Sequence, residues 1–139
     1  NKFNKNFVNY INYEDKNFLN TNKADLVDYF KLITQDDACV QNFTFATSFP
    51  FLLKKPTCTK YFASWLASST LNQKDYIERI EESAPKYILY ESSKAQFDKY
   101  HKLDGLAVYD RLRLVNSHIL LNYSKLKEID AYIILKRNN

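Results

Sequence analysis

The stretch that constrains the fold most is residues 36–61, DDACVQNFTFATSFPFLLKKPTCTKY, which contains both cysteines and two of the three prolines. Its first part, residues 38–45, is rich in β-branched and aromatic residues with polar residues between them, which is typical of a buried strand. Residues 57–63 are predicted to be extended again. The stretch therefore predicts two strands joined by a short connection, with one cysteine at the start of each strand.

The connection between these strands is predicted to be a short helix. Thr47 or Ser48 can cap its N-terminus, and Pro50 falls in its first turn, where the missing backbone N–H of proline is tolerated. Pro56 ends the helix, because the residue before a proline is pushed out of the α region.

Longer helices are indicated where apolar residues recur at spacings of three and four. They are predicted at residues 23–34, 73–83 and 111–123. Thr21 or Asn22 is the expected N-cap of the first helix, and Asn72 is the expected N-cap of the second.

The remaining strands are predicted near the middle and at the end of the chain. Residues 86–91 form a short apolar run after Pro85, as in an interior strand covered on both faces. The helix that precedes this run predicts a parallel crossover. Residues 125–129 and 131–137 are expected to form a strand pair turning near Asp130, or one strand if the first half is a loop.

These elements predict an α/β layered sandwich with a small, mostly parallel central sheet of four to five strands and helices on both faces. At 139 residues the chain fits one domain, which we place at residues 23–139 after an extended lead-in at residues 1–22. Residues 92–106 are expected to form a surface loop or an irregular helix. No apolar run approaches the ~20 residues of a membrane span. The absence of methionine predicts a piece of a longer protein.

Few catalytic motifs are compatible with this composition. The single glycine argues against a phosphate-binding loop or a nucleophile elbow, both of which need several glycines. No CxxC pattern occurs, and His101 and His118 lie far from the cysteines, so we expect no metal site and no cofactor. Cys58 acting with one of these histidines as nucleophile and base is the weaker alternative to a structural role.

Cys39 and Cys58 leave two alternatives open. In an oxidising compartment they can form a disulfide that joins the two neighbouring strands, and in the cytosol they would be two buried thiols. The residues alone favour neither alternative.

The candidate binding residues are the basic and aromatic ones that follow the short helix. They are Lys54, Lys55, Lys60, Tyr61 and Trp65. The net charge is only +4, from 20 basic against 16 acidic residues spread along the chain, so an ordinary solvated surface is one interpretation. The others are contact with an anionic lipid or a lipid-linked phosphate, or with nucleic acid.

Several segments of the chain carry a resemblance to a known family. They are DDACVQNFTF at residues 36–45, FLLKKPTCTKYF at 51–62, QKDYI at 73–77, APKYILY at 84–90 and LNYSKLKEIDAYIILKR at 121–137. Together these segments resemble the C-terminal soluble domain of bacterial polytopic membrane proteins that are similar to glycosyltransferases using polyprenyl-phosphate sugars.

The resemblance implies a periplasmic domain that follows the last membrane segment of a parent protein in the bacterial inner membrane. It favours a Cys39–Cys58 disulfide, and it places the catalytic acid in the membrane part, so no catalytic residue is assigned to this chain. The implied function is that of a non-catalytic accessory domain in contact with the membrane part, and with glycan or a polyprenyl-phosphate sugar through residues 54–61 and Trp65. Nucleic acid is not expected. The alternative is a freestanding interaction or nucleic-acid-binding module without enzymatic activity.

Overall fold

The computed structural model describes residues 19, 21–91, 102–103 and 106–139, with secondary structure alone for 102–103 and 106–109. The helices are α1 (Thr21–Ile33), α2 (Phe49–Leu53), α3 (Thr70–Ser83), α4 (Val108–Arg111) and α5 (Arg113–Asn122), with a 3-10 helix at Ser64–Ala67. The strands are β1 (Gln41–Phe43), β2 (Tyr87–Glu91), β3 (Lys102–Leu103), β4 (Leu106–Ala107), β5 (Tyr123–Ile129) and β6 (Tyr132–Arg137).

The central sheet has the strand order β1-β2-β6-β5, and β3 and β4 form a separate small pair. β1 and β2 are parallel, with Gln41 opposite Ile88, as a crossover through α3 requires. β5 and β6 form the C-terminal hairpin that the sequence predicts, and the chain turns at Asp130, which has a φ of 57°.

Helices cover both faces of this sheet. Successive side chains of each strand point to opposite faces, so each strand contributes to two hydrophobic cores. Ile88 of β2 packs with α3 and α5, and its neighbour Leu89 packs with α1 and α2. The first core includes Tyr76, Ile80, Val115, Ile119 and Leu135. The second core includes Leu26, Phe30, Phe49, Leu53 and Ile134. The α/β class, the four-stranded sheet and the helices on both faces are therefore confirmed.

Strand direction differs from the prediction of a mostly parallel sheet. β2 and β6 are antiparallel, as are β6 and β5, so the sheet is mixed, with one parallel and two antiparallel pairs. The tight turn between β5 and β6 is the physical reason for one of the two antiparallel pairs. A two-residue connection can join only antiparallel neighbours, whereas the connection from β1 to β2 includes the crossover helix α3.

The helix predictions are confirmed, with corrections at the ends. The second predicted helix begins earlier, at Thr70, because the side chain of Ser69 accepts a hydrogen bond from the backbone N–H of Asn72 at 3.1 Å. Asn72 is therefore inside α3, and its prediction as the N-cap was wrong. The last predicted helix, at residues 111–123, is α5 (Arg113–Asn122), which is preceded by the short helix α4, and Tyr123 already belongs to β5.

Three further predictions concern the strand at residues 57–63, the lead-in at residues 1–22 and the excursion at residues 92–106. Residues 57–63 do not form a full strand, since their pairing with the sheet is a single parallel bridge between Thr57 and Val40. The lead-in predicted at residues 1–22 lies outside the described residues except for its last part, where α1 already begins at Thr21. Of the excursion predicted at 92–106, residues 92–101 and 104–105 also lie outside the description. Within the described residues, no helix is both long and apolar enough to cross a bilayer.

The end of α3 provides a test of the backbone geometry. Ala84 caps this helix in the left-handed region, at φ 46° and ψ 49°, with its N–H donating to the carbonyl of Ile80. A side-chain Cβ is unfavourable in that region, and glycine avoids the clash. We predict that Ala84→Gly raises the free energy of unfolding by about 0.5–1 kcal/mol in urea titrations.

Ala24→Gly is the matched control for this prediction. Ala24 lies inside α1, where glycine has the opposite effect and costs about 1 kcal/mol. Destabilisation by both substitutions would contradict the assignment of a left-handed cap at Ala84.

Candidate functional site

The disulfide between Cys39 and Cys58 joins the residue before the Val40 bridge to a segment that runs beside β1. The two Cα atoms are 5.0 Å apart. Backbone hydrogen bonds flank the cross-link: the N–H of Val40 donates to the carbonyl of Pro56, and the N–H of Cys58 donates to the carbonyl of Val40, both at 3.0 Å. Of the two alternatives for these cysteines, the structure therefore contains the disulfide. We call residues 56–62 the tethered segment.

Two buried amide side chains of β1 hold the rest of the tethered segment. Gln41 donates from Nε2 to the carbonyl of Tyr61 at 2.8 Å and accepts at Oε1 from the N–H of Thr59 at 3.2 Å. Asn42 donates from Nδ2 to the carbonyl of Phe62 at 2.8 Å. Residues 59–62 are therefore held by side-chain hydrogen bonds where a regular strand would have a backbone ladder.

Lys55 holds the beginning of this region against α1. Its ammonium donates to the backbone carbonyls of Thr34, Gln35 and Asp37, in the turn that follows the last residue of that helix, Ile33. The C-terminal end of a helix carries partial negative charge, so a lysine near it is favourable. Lys55 was predicted to bind a ligand, but the structure directs its charge to the backbone.

Lys60 and Tyr61 are also engaged within the protein, through the carboxylate of Asp75. Tyr61 donates its phenolic O–H to Asp75 at 2.6 Å, Lys60 pairs with it at 2.8 Å, and Arg79 donates from Nε at 3.0 Å. Hydrogen bonds from Lys60, Tyr61 and Arg79 hold the pKa of the Asp75 carboxyl well below its usual range. Burial, and then the bond to Asp75, raise the pKa of Tyr61 to about 12. At neutral pH Asp75 is therefore ionised while Tyr61 keeps its proton, and the hydrogen bond between them attaches the tethered segment to α3.

The predicted binding residues are thus only partly brought together at the surface. Lys54 is exposed at the end of α2, where it adopts left-handed backbone angles, and Trp65 is 40% exposed in the 3-10 helix. Tyr61 is buried, and the charge of Lys60 faces Asp75. Of the predicted residues, Lys54 and Trp65 are exposed without an ion pair to a neighbouring side chain among the described residues, whereas the exposed side chain of Lys60 is paired with Asp75.

An apolar groove of about 300 Å³ lies next to Lys54 along the chain. It is lined by Pro50, Phe51, Lys55, Pro56, Thr57 and Phe62. The ring of Phe51 is 80% exposed and that of Phe62 is 41% exposed. Phe51 was not among the binding residues predicted from the sequence, although the spacing contained the signal. Phe49 and Leu53 are four residues apart and point to the core, which places Phe51 on the opposite side of α2.

The described side chains do not support the alternative of thiol catalysis. Cys58 is oxidised in the disulfide and so provides no thiolate. His118 lies on α5 with Nε2 3.1 Å from a carboxylate oxygen of Glu81 on α3, and His101 lies outside the described residues. No group of three or more His, Cys, Asp or Glu residues in the described ranges is arranged to hold a metal ion. The groove and Lys54 can provide contact area and charge to a partner.

Comparisons with known proteins include an informative likeness to a solved structure. No protein-family model matches this chain, and no curated protein matches it. A similar solved structure is the C-terminal globular domain of oligosaccharyltransferase from Archaeoglobus fulgidus, with a TM-score of 0.51 and 12% sequence identity. The alignment covers 86% of this chain and 99% of that domain. At this identity the likeness is one of fold.

The adjacent lysines Lys54 and Lys55 provide a test of the site. Lys55→Met removes the ammonium that donates to the carbonyls of Gln35 and Asp37, and it leaves the Thr34 carbonyl with only the N–H of Asp37. We therefore predict that it lowers the free energy of unfolding by about 1–3 kcal/mol. Lys54→Met is the matched control and should change it by less than about 0.5 kcal/mol. Urea titration under non-reducing conditions measures both values. Equal effects of the two substitutions would contradict the different roles assigned to these lysines.

Proposed function

We propose that this chain is a non-catalytic, extracytoplasmic accessory domain of a membrane-embedded glycosyltransferase. The observation that carries the proposal is the similarity in fold to the C-terminal globular domain of an oligosaccharyltransferase, which extends over 99% of that domain. Similarity over a whole domain favours a common architecture of the parent proteins. The family resemblance in the sequence points to the same class of enzyme.

The disulfide supports a location outside the cytoplasm. Cytosolic thiols are kept reduced in most organisms, whereas disulfides persist in the periplasm and at the cell surface. The Cys39–Cys58 bond holds the tethered segment, which is part of the proposed contact surface. On the sequence resemblance, we place this domain on the periplasmic face of a bacterial inner membrane, after the membrane part of its parent.

In this proposal, the surface formed by the groove and Lys54 contacts glycan or the lipid-linked sugar. Phe51 and Phe62 offer flat apolar faces, and Lys54 offers a positive charge that suits a phosphate group. The structure changes which residues are expected to act. Lys55 and Tyr61 are engaged within the protein, and Lys60 is exposed but paired with Asp75. Phe51, Phe62 and Lys54 present the surface, and Trp65 is kept as a further exposed candidate for contact. Catalysis belongs to the membrane part of the parent.

The proposal predicts a functional effect of surface variants in the full-length parent protein. The double variant Phe51→Ala/Lys54→Ala should lower the rate of sugar transfer in isolated membranes by about tenfold, as expected for the loss of an exposed aromatic and charged contact. The amount of protein in the membrane should not change, because both side chains are exposed. The assay is transfer from a radiolabelled polyprenyl-phosphate sugar.

Leu121→Ala is the control for this prediction. Leu121 is 78% exposed on α5, which packs on the other face of the sheet from α2, and its loss should leave transfer unchanged. An unchanged rate of sugar transfer in the Phe51/Lys54 variant would contradict the proposed contact between this surface and glycan or the lipid-linked sugar. A parent that fractionates with the cytosol and has two free thiols would instead support a freestanding module and contradict the accessory domain.

A further inference from the structure

We propose that the groove surface docks onto an anionic lipid bilayer, with Phe51 and Phe62 entering the interfacial layer and Lys54 lying among the headgroups. The partner is thus the membrane surface itself. This inference rests on the proposed function, because a domain tethered to a membrane protein lies beside a bilayer.

The charge pattern of the chain supports this partner. Residues 38–74 contain four lysines and no aspartate or glutamate, although the whole chain has 16 acidic residues. The charged side chains of the segment between Asp37 and Asp75 are therefore all positive, while the rest of the chain mixes both signs, and Asp75 approaches this segment at Lys60. Lysines near a membrane surface are attracted to anionic headgroups.

The exposed aromatic residues coincide with this basic stretch. Within the described residues, the strongly exposed aromatic side chains are those of Phe51, Phe62 and Trp65, and all of them lie between Asp37 and Asp75. Exposed leucines occur elsewhere, on α1, α3, α5 and β5. Aromatic side chains next to lysines are typical of protein surfaces that bind at the membrane interface.

The contacts of the three lysines near the groove decide which charges can reach the lipid. Lys60 is paired with Asp75, and Lys55 is held by the carbonyls at the end of α1. Lys54 takes part in none of the ion pairs seen in the described part of the chain. It is separated from Phe51 by two residues at the end of the same short helix, so charge and apolar ring are presented together.

The groove is lined mainly by apolar residues, and this favours a lipid surface over sequence-specific binding of a nucleic acid. Its aromatic and proline residues have no side-chain hydrogen-bonding groups, and the hydroxyl of Thr57 already donates to the carbonyl of Thr59 at 2.7 Å. Sequence recognition of a nucleic acid requires such groups. Attraction to a bilayer requires only apolar area and charge.

The test measures sedimentation of the oxidised 139-residue chain with vesicles. Vesicles of phosphatidylglycerol and phosphatidylcholine in equal amounts are compared with vesicles of phosphatidylcholine alone. We expect binding to the anionic vesicles, and binding weakened at least about fivefold on the neutral ones. Phe51→Ser and Lys54→Glu should each weaken binding to anionic vesicles by about tenfold.

Leu121→Ser and Arg113→Glu are the matched controls, since they make the same types of change on α5, on the opposite face of the sheet. Both should bind as the unmodified chain does, and circular dichroism checks that every variant is folded. Equal losses in Lys54→Glu and Arg113→Glu would overturn the proposal by showing attraction to net charge alone. Absence of vesicle binding, or binding only to a single-stranded oligonucleotide, would also overturn it.

The outcomes separate this inference from the proposed function. If the chain does not bind vesicles but the Phe51/Lys54 variant of the parent transfers sugar slowly, the accessory role stands and the bilayer is the wrong partner. If the chain binds vesicles as expected but transfer by the parent variant is unaffected, the surface docks on lipid and its contact with substrate is excluded.

Discussion

The attachment of the tethered segment to β1 is the constraint on which the candidate surface depends. One covalent bond, Cys39–Cys58, and the buried amides of Gln41 and Asn42 hold a backbone that does not form a regular strand. Buried amide groups are costly unless they are paired, so these contacts fix the segment in one position. Lys55 adds a further attachment to α1. As a result, Pro56 and Phe62 are positioned as two lining residues of the groove.

The fold could be predicted where local patterns decide it. The spacing of Tyr76 and Ile80 indicated α3, and the apolar run at residues 87–90 indicated an interior strand. Strand direction could not be predicted in full, because it depends on which strand the C-terminal hairpin joins. That choice is made by packing across the sheet, where Leu135 lies opposite Ile88 and Ile134 lies opposite Leu89.

The sequence indicates which stretch of the chain contains the candidate site, but not which of its side chains are free to contact a partner. Its place beside the cysteines follows from the sequence, because charge and aromatic residues are concentrated there. The internal partners of these lysines could not be predicted, because they are distant in sequence. The partners of Lys55 are 18 or more residues away, and the partner of Lys60 is 15 residues away. The roles of Gln41 and Asn42 were also missed. A polar residue in a short strand carries no local sign that its side chain binds a neighbouring backbone.

The oxidation state of Cys39 and Cys58 in the producing cell provides the most direct test. The proposed location outside the cytoplasm is inferred from their disulfide, and the same bond holds the candidate contact surface in place. Intact cells are treated with a permeant maleimide, the protein is reduced, and a second maleimide of different mass is added. Mass spectrometry then identifies the label on each cysteine. The account predicts that both cysteines carry only the second label, since a disulfide does not react with maleimide. The first label on both cysteines would contradict it.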